Sequence, residues 1–211
     1  MDEIANRICM TLDEMYPDAH CELNHSNPFE LLVAVILSAQ TTDKSVNRVT
    51  PFLFEKFSTP ELLANANLED LENCIKSLGL YKNKAQNLKK MAKMLIEKFQ
   101  GEMPSDENLL IRLPGVGRKT ANVVLSVAFN KAAFPVDTHV ERVSKRLNLA
   151  QEKDSVLQVE KKLTKRFPKS KWNKLHHQMI FFGRYHCLAR RPKCDECKLR
   201  DICSYVLDKN I

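Results

Sequence analysis

Glycine is scarce, with 5 residues in 211, and aromatic side chains make up only 7%. Turn-rich sandwiches and barrels draw heavily on both, so that class is disfavoured. Alternation of apolar and polar residues, the signature of a half-buried strand, is absent. No apolar run approaches the roughly 18 residues of a membrane span. The longest, Leu31 to Leu37, has seven, so no membrane partner is expected. The opening residues, MDEIANRICM, lack a basic start before an apolar stretch. No signal peptide is read there, and a cytoplasmic chain with reduced thiols is expected. Linkers rich in Pro, Ser or Gly are missing too, as is any helical repeat of fixed period. Two domains, if present, should pack tightly or interleave.

What is present is a core-forming helical chain. Hydrophobic residues make up 44%, and 33 basic side chains outweigh 26 acidic ones by seven, which rules out a disordered basic tail. Helix punctuation recurs. Asn27-Pro28-Phe29-Glu30 reads as an N-cap, a proline at the first helical position and a glutamate reaching back. The LLVAVIL that follows is apolar on every side, so this helix should be fully buried. Thr59-Pro60 opens a short helix. Leu68, Leu71 and Ile75 share a face, and Gly79 marks that helix's stop. Leu88, Met91, Ala92, Leu95 and Phe99 form one stripe of a long helix ending by Gly101. Ser105 precedes a helix running to Leu113. Ser155 and Gln158 form a capping box for a helix that Pro168 terminates. The fold class is all-α, with about nine or ten helices.

Seven cysteines, an odd number, point to metal or cluster ligation before disulfides. Cys187, Cys194, Cys197 and Cys203 are spaced C-x6-C-x2-C-x5-C; Cys9, Cys21 and Cys74 are scattered and read as buried apolar residues. Structural zinc sites more often pair two C-x2-C knuckles, whereas here one knuckle is flanked by single cysteines. The spacing leaves both an iron–sulfur cluster and zinc open. His186 is a possible competing ligand. The intervening LARRPK carries Arg190, Arg191 and Lys193, which can offset thiolate charge and also contact phosphate.

Leu113-Pro114-Gly115-Val116-Gly117-Arg118-Lys119-Thr120 joins two expected helices and holds two of the five glycines. A dinucleotide fingerprint fails because Thr120 stands at the third glycine position and no strand precedes it. A P-loop fails because Arg118 interrupts the motif. A plain helix turn and a helix–hairpin–helix remain. In the second, Gly115, Val116, Gly117 and Arg118 hold DNA backbone through free N–H groups at a helix start. Lys119 falls on the first turn, where the helix dipole and Arg118 both disfavour its ammonium. It is either an ordinary phosphate-binding lysine or an amine that can form a Schiff base. Asp137, in Pro135-Val136-Asp137-Thr138-His139, reads as an N-cap. A capping carboxylate is held in place and could also assist cleavage at a sugar.

LPGVGRKTANVV, VDTHVERV, LLVAVILSAQTTD, GLYKNKA and the four-cysteine spacing together resemble the endonuclease III family of helix–hairpin–helix DNA glycosylase/AP lyases. The likeness runs from about Glu22 to Tyr205, and VDTHVERVSKRL is similar to members from Gram-positive bacteria. The resemblance implies a contiguous helical barrel at 22–132 and a discontinuous iron–sulfur domain of 1–21 plus 133–211. It implies a [4Fe–4S] cluster on the four cysteines, Lys119 as Schiff-base nucleophile and Asp137 as catalytic carboxylate. It also implies damaged double-stranded DNA as partner, a monomer, and a place in the bacterial cytoplasm at the nucleoid. By segment matching, Gln40 fills the space of a flipped base, Leu80 wedges the duplex, and His139 contacts phosphate. Read without the family, Gln40 is a helix-end residue, Leu80 core and His139 solvent-facing. Ile111 departs from members with an acidic residue there. Lys82, Lys84, Lys89, Lys90 and the run Lys161 to Lys174 read as solvated faces, the run also as a general attractant for DNA. Trp172 reads as packing. The expected activity is removal of oxidised pyrimidines in base excision repair, with strand cleavage by β-elimination. The rivals are a water-using glycosylase and a non-catalytic DNA-binding module with a zinc knot.

Overall fold

The structure is a computed structural model and describes residues 1–207. Among the described residues there are twelve α-helices and no strand. The helices beyond the expected nine or ten are short pieces that carry too few residues to show a period. They run α1 (Glu3–Met15), α2 (Pro28–Leu37), α3 (Asp43–Lys56), α4 (Pro60–Asn65), α5 (Leu68–Ile75) and α6 (Tyr81–Phe99). They continue as α7 (Glu107–Leu110), α8 (Arg118–Phe129), α9 (Thr138–Arg146), α10 (Val156–Arg166), α11 (Trp172–Phe181) and α12 (Ser204–Leu207). The chain forms two compact units: Glu22–Asn130, and Met1–Cys21 with the described residues from Lys131 onward. No described helix is long and apolar enough to cross a membrane.

In the Glu22–Asn130 unit α2 is the central rod. Asn27 caps it by accepting from Glu30 N at 2.9 Å, and the Glu30 carboxylate reaches back to Ser26 N at 2.7 Å. Leu31 to Leu37 are each 5% exposed or less. A helix apolar all round has to be surrounded, and α3, α6 and α8 all pack on it. Each such leucine is worth about 1.5–3 kcal/mol of burial. The long α6 buries Leu88, Met91, Ala92 and Leu95. It ends where Gln100 and Gly101 turn left-handed, with φ of 56° and 83°. The helix expected from Ser105 to Leu113 is shorter. Asp106, not Ser105, is its cap, accepting from Asn108 N at 2.9 Å, and α7 stops after one turn. From there to Leu113 the backbone continues in i→i+3 turns, with Leu113 N donating to Leu110 O at 3.0 Å. Similarly α5 ends at Ile75, before Gly79.

In the other unit α1, α9, α10 and α11 close over a core in which Ile8, Leu12, Val140, Val143, Leu163 and Met179 are fully buried. Trp172 packs against it and donates Nε1–H to Phe167 O at 2.8 Å. The capping box of Ser155 and Gln158 is formed. Cys9 is buried, but Cys21 and Cys74 are only half-buried. At the end of α11 a π-turn, Phe182–His186, delivers the chain to Cys187. Its Gly183 lies so close to α9 that a Cβ there would stand 2.9 Å from His139 Cβ.

The basic run Lys161 to Lys174 is not the free face expected of it. Lys162 pairs with Asp154 (2.6 Å), Arg166 with Asp2 (2.8 Å), and Lys174 and Lys171 with Asp13 (2.7 and 3.6 Å). Those carboxylates lie outside the run, so reading the run alone overstated its field.

Candidate functional site

The turn before α8 needs glycine at one of its two glycine positions. Gly115 has φ +80°, and a Cβ there would sit 3.2 Å from Asn87 Cβ and 3.4 Å from Ile36 Cγ2. This is a left-handed residue wedged against α6 and α2. Gly117 is extended (φ −92°, ψ 174°), and a Cβ on it would meet nothing within 4 Å. What its missing side chain leaves is open space at the start of α8. Between them Val116 is buried at 7% exposure, and its N–H is already given to Leu113 O at 3.0 Å. Val116, expected among the DNA contacts, thus anchors the turn with its side chain. The first turn of α8 has no side-chain cap. Its amide groups are the kind that an anion satisfies. Arg118 is exposed and leans on Glu107 at 3.5 Å, while Lys119 points outward, exposed, from the same turn. Ile111 is exposed at the end of α7.

Two other exposed residues in this unit share a conformation that side chains rarely adopt. Gln40 (φ +54°) follows α2, and Leu80 (φ +59°) is the N-cap of α6. Leu80 is 56% exposed, so the core reading of it is overturned. Solvated faces were also expected at Lys84 and Lys89. Instead Lys84 is 4% exposed with Nζ donating to Thr41 Oγ1 at 2.8 Å, and Lys89 Nζ donates to Ala66 O. Sequence spacing alone did not mark Lys84, because a lysine on the α6 stripe looks like an interruption of it.

In the other unit Asp137 caps α9. One carboxylate oxygen, Oδ1, accepts from His139 N (2.9 Å) and Val140 N (2.8 Å). Oδ2 carries no hydrogen bond among the described residues, so the carboxylate is fixed in place with one oxygen to spare. His139 is half-buried, not solvent-facing, and its Nδ1 lies 3.3 Å from Arg142 Nη2. Burial, with Arg142 and Arg184 nearby, holds its pKa below the usual imidazole value against the pull of Asp137. Arg142 also donates to Gly183 O (2.7 Å) and Cys187 O (3.1 Å), tying the first turns of α9 to the π-turn.

Cys187, Cys194, Cys197 and Cys203 all line one cavity of about 320 Å³, counting its solvent-open mouth. A single tetrahedral zinc would draw four sulfurs to about 3.8 Å from one another. Among the described residues no three such ligands are grouped to hold a single metal ion; four cysteines lining one pocket are the donor set of an iron–sulfur cluster. Burial pushes the Cys197 and Cys203 thiols up, so they ionise when a bound cation compensates them. Arg146 Nη1 lies 3.2 Å from Cys187 Sγ, an N–H donor aimed at sulfur, and its guanidinium stacks 4.0 Å from the Tyr205 ring centroid. The same arginine donates to Leu188 O (2.8 Å) and Ala189 O (3.2 Å), holding the loop just ahead of the exposed Arg190 and Arg191. His186, the competing ligand considered above, is buried and stacked on Phe182, with rings 5.1 Å apart and 19° between planes.

Iron analysis checks this site directly. Purified protein should be yellow-brown, with about four irons per chain. Cys194→Ser should lower iron content and folded yield together; colourless protein with one zinc per chain would contradict the assignment.

Residues 33–169 match the family described as HhH-GPD superfamily base excision DNA repair protein, and residues 187–203 match the iron–sulfur binding domain of endonuclease III. The second match starts at Cys187 and ends at Cys203. The chain is 59% identical over 192 residues to endonuclease III of Bacillus subtilis (strain 168), covering 91% of this chain and 88% of that one. It is 46% identical over 198 residues to endonuclease III of Escherichia coli (strain K12), covering 94% and 93%. A non-covalent endonuclease III–DNA complex superposes with TM-score 0.95 at 55% identity, covering 100% of this chain and 99% of that one. A trapped endonuclease III–DNA covalent intermediate gives 0.93 at 56%, covering 98% and 99%. The chain therefore belongs to the endonuclease III family of base-excision DNA glycosylases, within the HhH-GPD superfamily, and carries that family's [4Fe–4S] site.

Proposed function

We propose that this chain binds damaged duplex DNA, removes oxidised or ring-saturated pyrimidines, and then cuts the strand on the 3′ side of the vacated sugar. The observation that carries the reading is an exposed amine, Lys119, on the uncapped first turn of α8, immediately after a glycine turn open to solvent. A phosphate held by those amide groups places a sugar within reach of that amine. A covalent endonuclease III–DNA intermediate at 56% identity supports it.

The chemistry balances as follows. Neutral Lys119 Nζ forms a bond to the sugar's anomeric carbon while the glycosidic bond breaks, and the base leaves with the electron pair and a proton. The C1′–O4′ bond then breaks, the ring oxygen takes up a proton lost from the amine, and the opened sugar is joined to Lys119 as an imine. That imine acidifies the neighbouring sugar proton; its loss expels the 3′ phosphate, and water then frees the lysine. Asp137, with one carboxylate oxygen to spare, serves as the catalytic carboxylate, taking up a proton or facing the positive charge developing on the sugar. Gln40 and Leu80 occupy the duplex as the lesion leaves it, a lesion whose poor stacking lowers the cost of extrusion. Gly115, Gly117, Arg118 and His139 hold backbone phosphates. Cys187, Cys194, Cys197 and Cys203 would hold the cluster. When bound, the cluster supplies a rigid, compact anchor for the loop that presents Arg190 and Arg191.

The test is reaction with a thymine-glycol duplex in the presence of borohydride. Base release, nicking and a stable protein–DNA adduct are the expected results. Release without an adduct would favour a water-using glycosylase, and no release on any oxidised-pyrimidine duplex would leave only a binding module. Affinity for undamaged duplex should fall steeply with salt, because bound cations release condensed counterions. Arg190→Ala with Arg191→Ala should shallow that slope by up to about one unit per lost phosphate contact. An unchanged slope would turn this loop away from DNA.

A further inference from the structure

Lys84, at 4% exposure, is the most deeply buried charged side chain of its unit, and the mechanism above does not use it. Its Nζ donates to Thr41 Oγ1 at 2.8 Å, and no carboxylate pairs with it among the described residues. Burial alone lowers its affinity for a proton. A leucine or methionine would fill the space without that desolvation, so packing does not account for a lysine there. The residues it touches do. Thr41 Oγ1, which accepts from Lys84, donates to Ala39 O at 3.3 Å, and Thr41 N donates to Ser38 O at 3.0 Å. These bonds close a tight loop around Gln40, whose backbone at φ +54° is unfavourable for a side-chain-bearing residue and needs an outside hold. The main chain of the same lysine holds a second exposed left-handed residue nearby in the sequence. Lys84 N donates to Leu80 O at 3.0 Å, and Leu80 sits at φ +59°. One residue thus grips both, Leu80 through its backbone and the Gln40 turn through its ammonium.

We propose that Lys84 is a positioning residue that locks the Gln40 turn to the Leu80 end of α6, so that the two probe the duplex as a single rigid unit during lesion extrusion. This rests on the reading of Gln40 and Leu80 given above. It makes extrusion, and not the chemistry of Lys119, the step that Lys84 controls.

The experiment compares wild-type protein with Lys84→Met, Thr41→Val and Thr41→Ser. Lys84→Met keeps the aliphatic stem and should fold with an unchanged or higher Tm. It should slow single-turnover base release from a thymine-glycol duplex by roughly 10- to 100-fold, the scale of a small misplacement of working groups. It should also diminish the fluorescence rise of 2-aminopurine placed beside the lesion, which reports unstacking. Thr41→Val should do the same, and Thr41→Ser, which keeps the hydroxyl, should retain wild-type release. Borohydride trapping on an abasic single strand needs no base extruded and should stay at the wild-type level in Lys84→Met. Gln40→Ala combined with Lys84→Met should be no slower than Gln40→Ala alone, since both changes remove one function. The proposal is overturned by wild-type release in both Lys84→Met and Thr41→Val. It is equally overturned by full additivity with Gln40→Ala, or by a parallel loss of single-strand trapping, which would mean general damage to the unit. If wild-type protein itself releases no base, the functional reading falls first and takes this one with it.

Discussion

Lys119→Gln should abolish borohydride trapping and strand nicking while leaving duplex affinity close to that of the wild type. Glutamine has a polar end and similar reach but no amine, so the imine has no nitrogen to form from. The turn proposed to bind backbone should survive, because Gly115 and Val116, not Lys119, hold its shape: one is pressed against Asn87 and Ile36, the other is buried. Lys119 is exposed on the first turn of α8, so the substitution disturbs no packing. A gel-shift titration and a denaturing gel of the trapped adduct separate the two properties. A residual adduct at wild-type yield would move the nucleophile to another amine. Loss of binding in step with trapping would make Lys119 a phosphate contact.

Asp137→Asn should slow base release by something like the 10²- to 10⁴-fold typical of lost acid–base assistance, with folding intact. The reason lies in how the carboxylate is divided. Oδ1 caps α9 through His139 N and Val140 N, and an asparagine oxygen serves equally well there. Oδ2 is the oxygen left over, and it becomes a neutral amide that neither takes a proton nor faces positive charge. Asp137→Ala separates the two roles further: it should lose the cap as well, at about 1 kcal/mol of stability. Single-turnover release and thermal melting on the same three proteins check this. Release by Asp137→Asn at the wild-type rate would reduce Asp137 to a cap.

Much of the fold was legible because its signals are local. Asn27, Thr59, Asp137 and Ser155 are caps four or fewer residues from the amides they satisfy, and all four helices start where those letters place them. The unbroken apolar run in α2 could only be a surrounded rod. What escaped depends on residues distant in the chain. The charge on Lys171 and Lys174 is offset by Asp13, and that on Arg166 by Asp2. No window along 161–174 contains those partners. Lys84 looked solvated because lysines usually are, and its acceptor, Thr41, is 43 residues upstream. Asp106 beat Ser105 as the cap of α7 by one position, within the ordinary ambiguity of two adjacent capping residues. Leu80 was read as core on residue type, yet its position ahead of α6 in a left-handed conformation turns it outward.

The pairings of α1 have a consequence for how the molecule comes off the ribosome. Arg7 meets Asp201 at 2.6 Å, Asp2 meets Arg166, and Ile8 and Leu12 are buried in a core built from residues beyond 131. The Glu22–Asn130 unit has all its parts as soon as it emerges. α1 is translated ahead of the core that receives it and must wait for at least about 110 further residues, some 5 to 20 s or longer at ordinary elongation rates. For that interval its apolar face has no native partner and is a client for whatever shields nascent chains. The later segment with Cys187 to Cys203 completes both the core that receives α1 and the pocket that receives iron. Cluster insertion therefore has to follow translation of this segment. Iron starvation would leave a finished Glu22–Asn130 unit beside a partner unit whose cysteine pocket is unfilled.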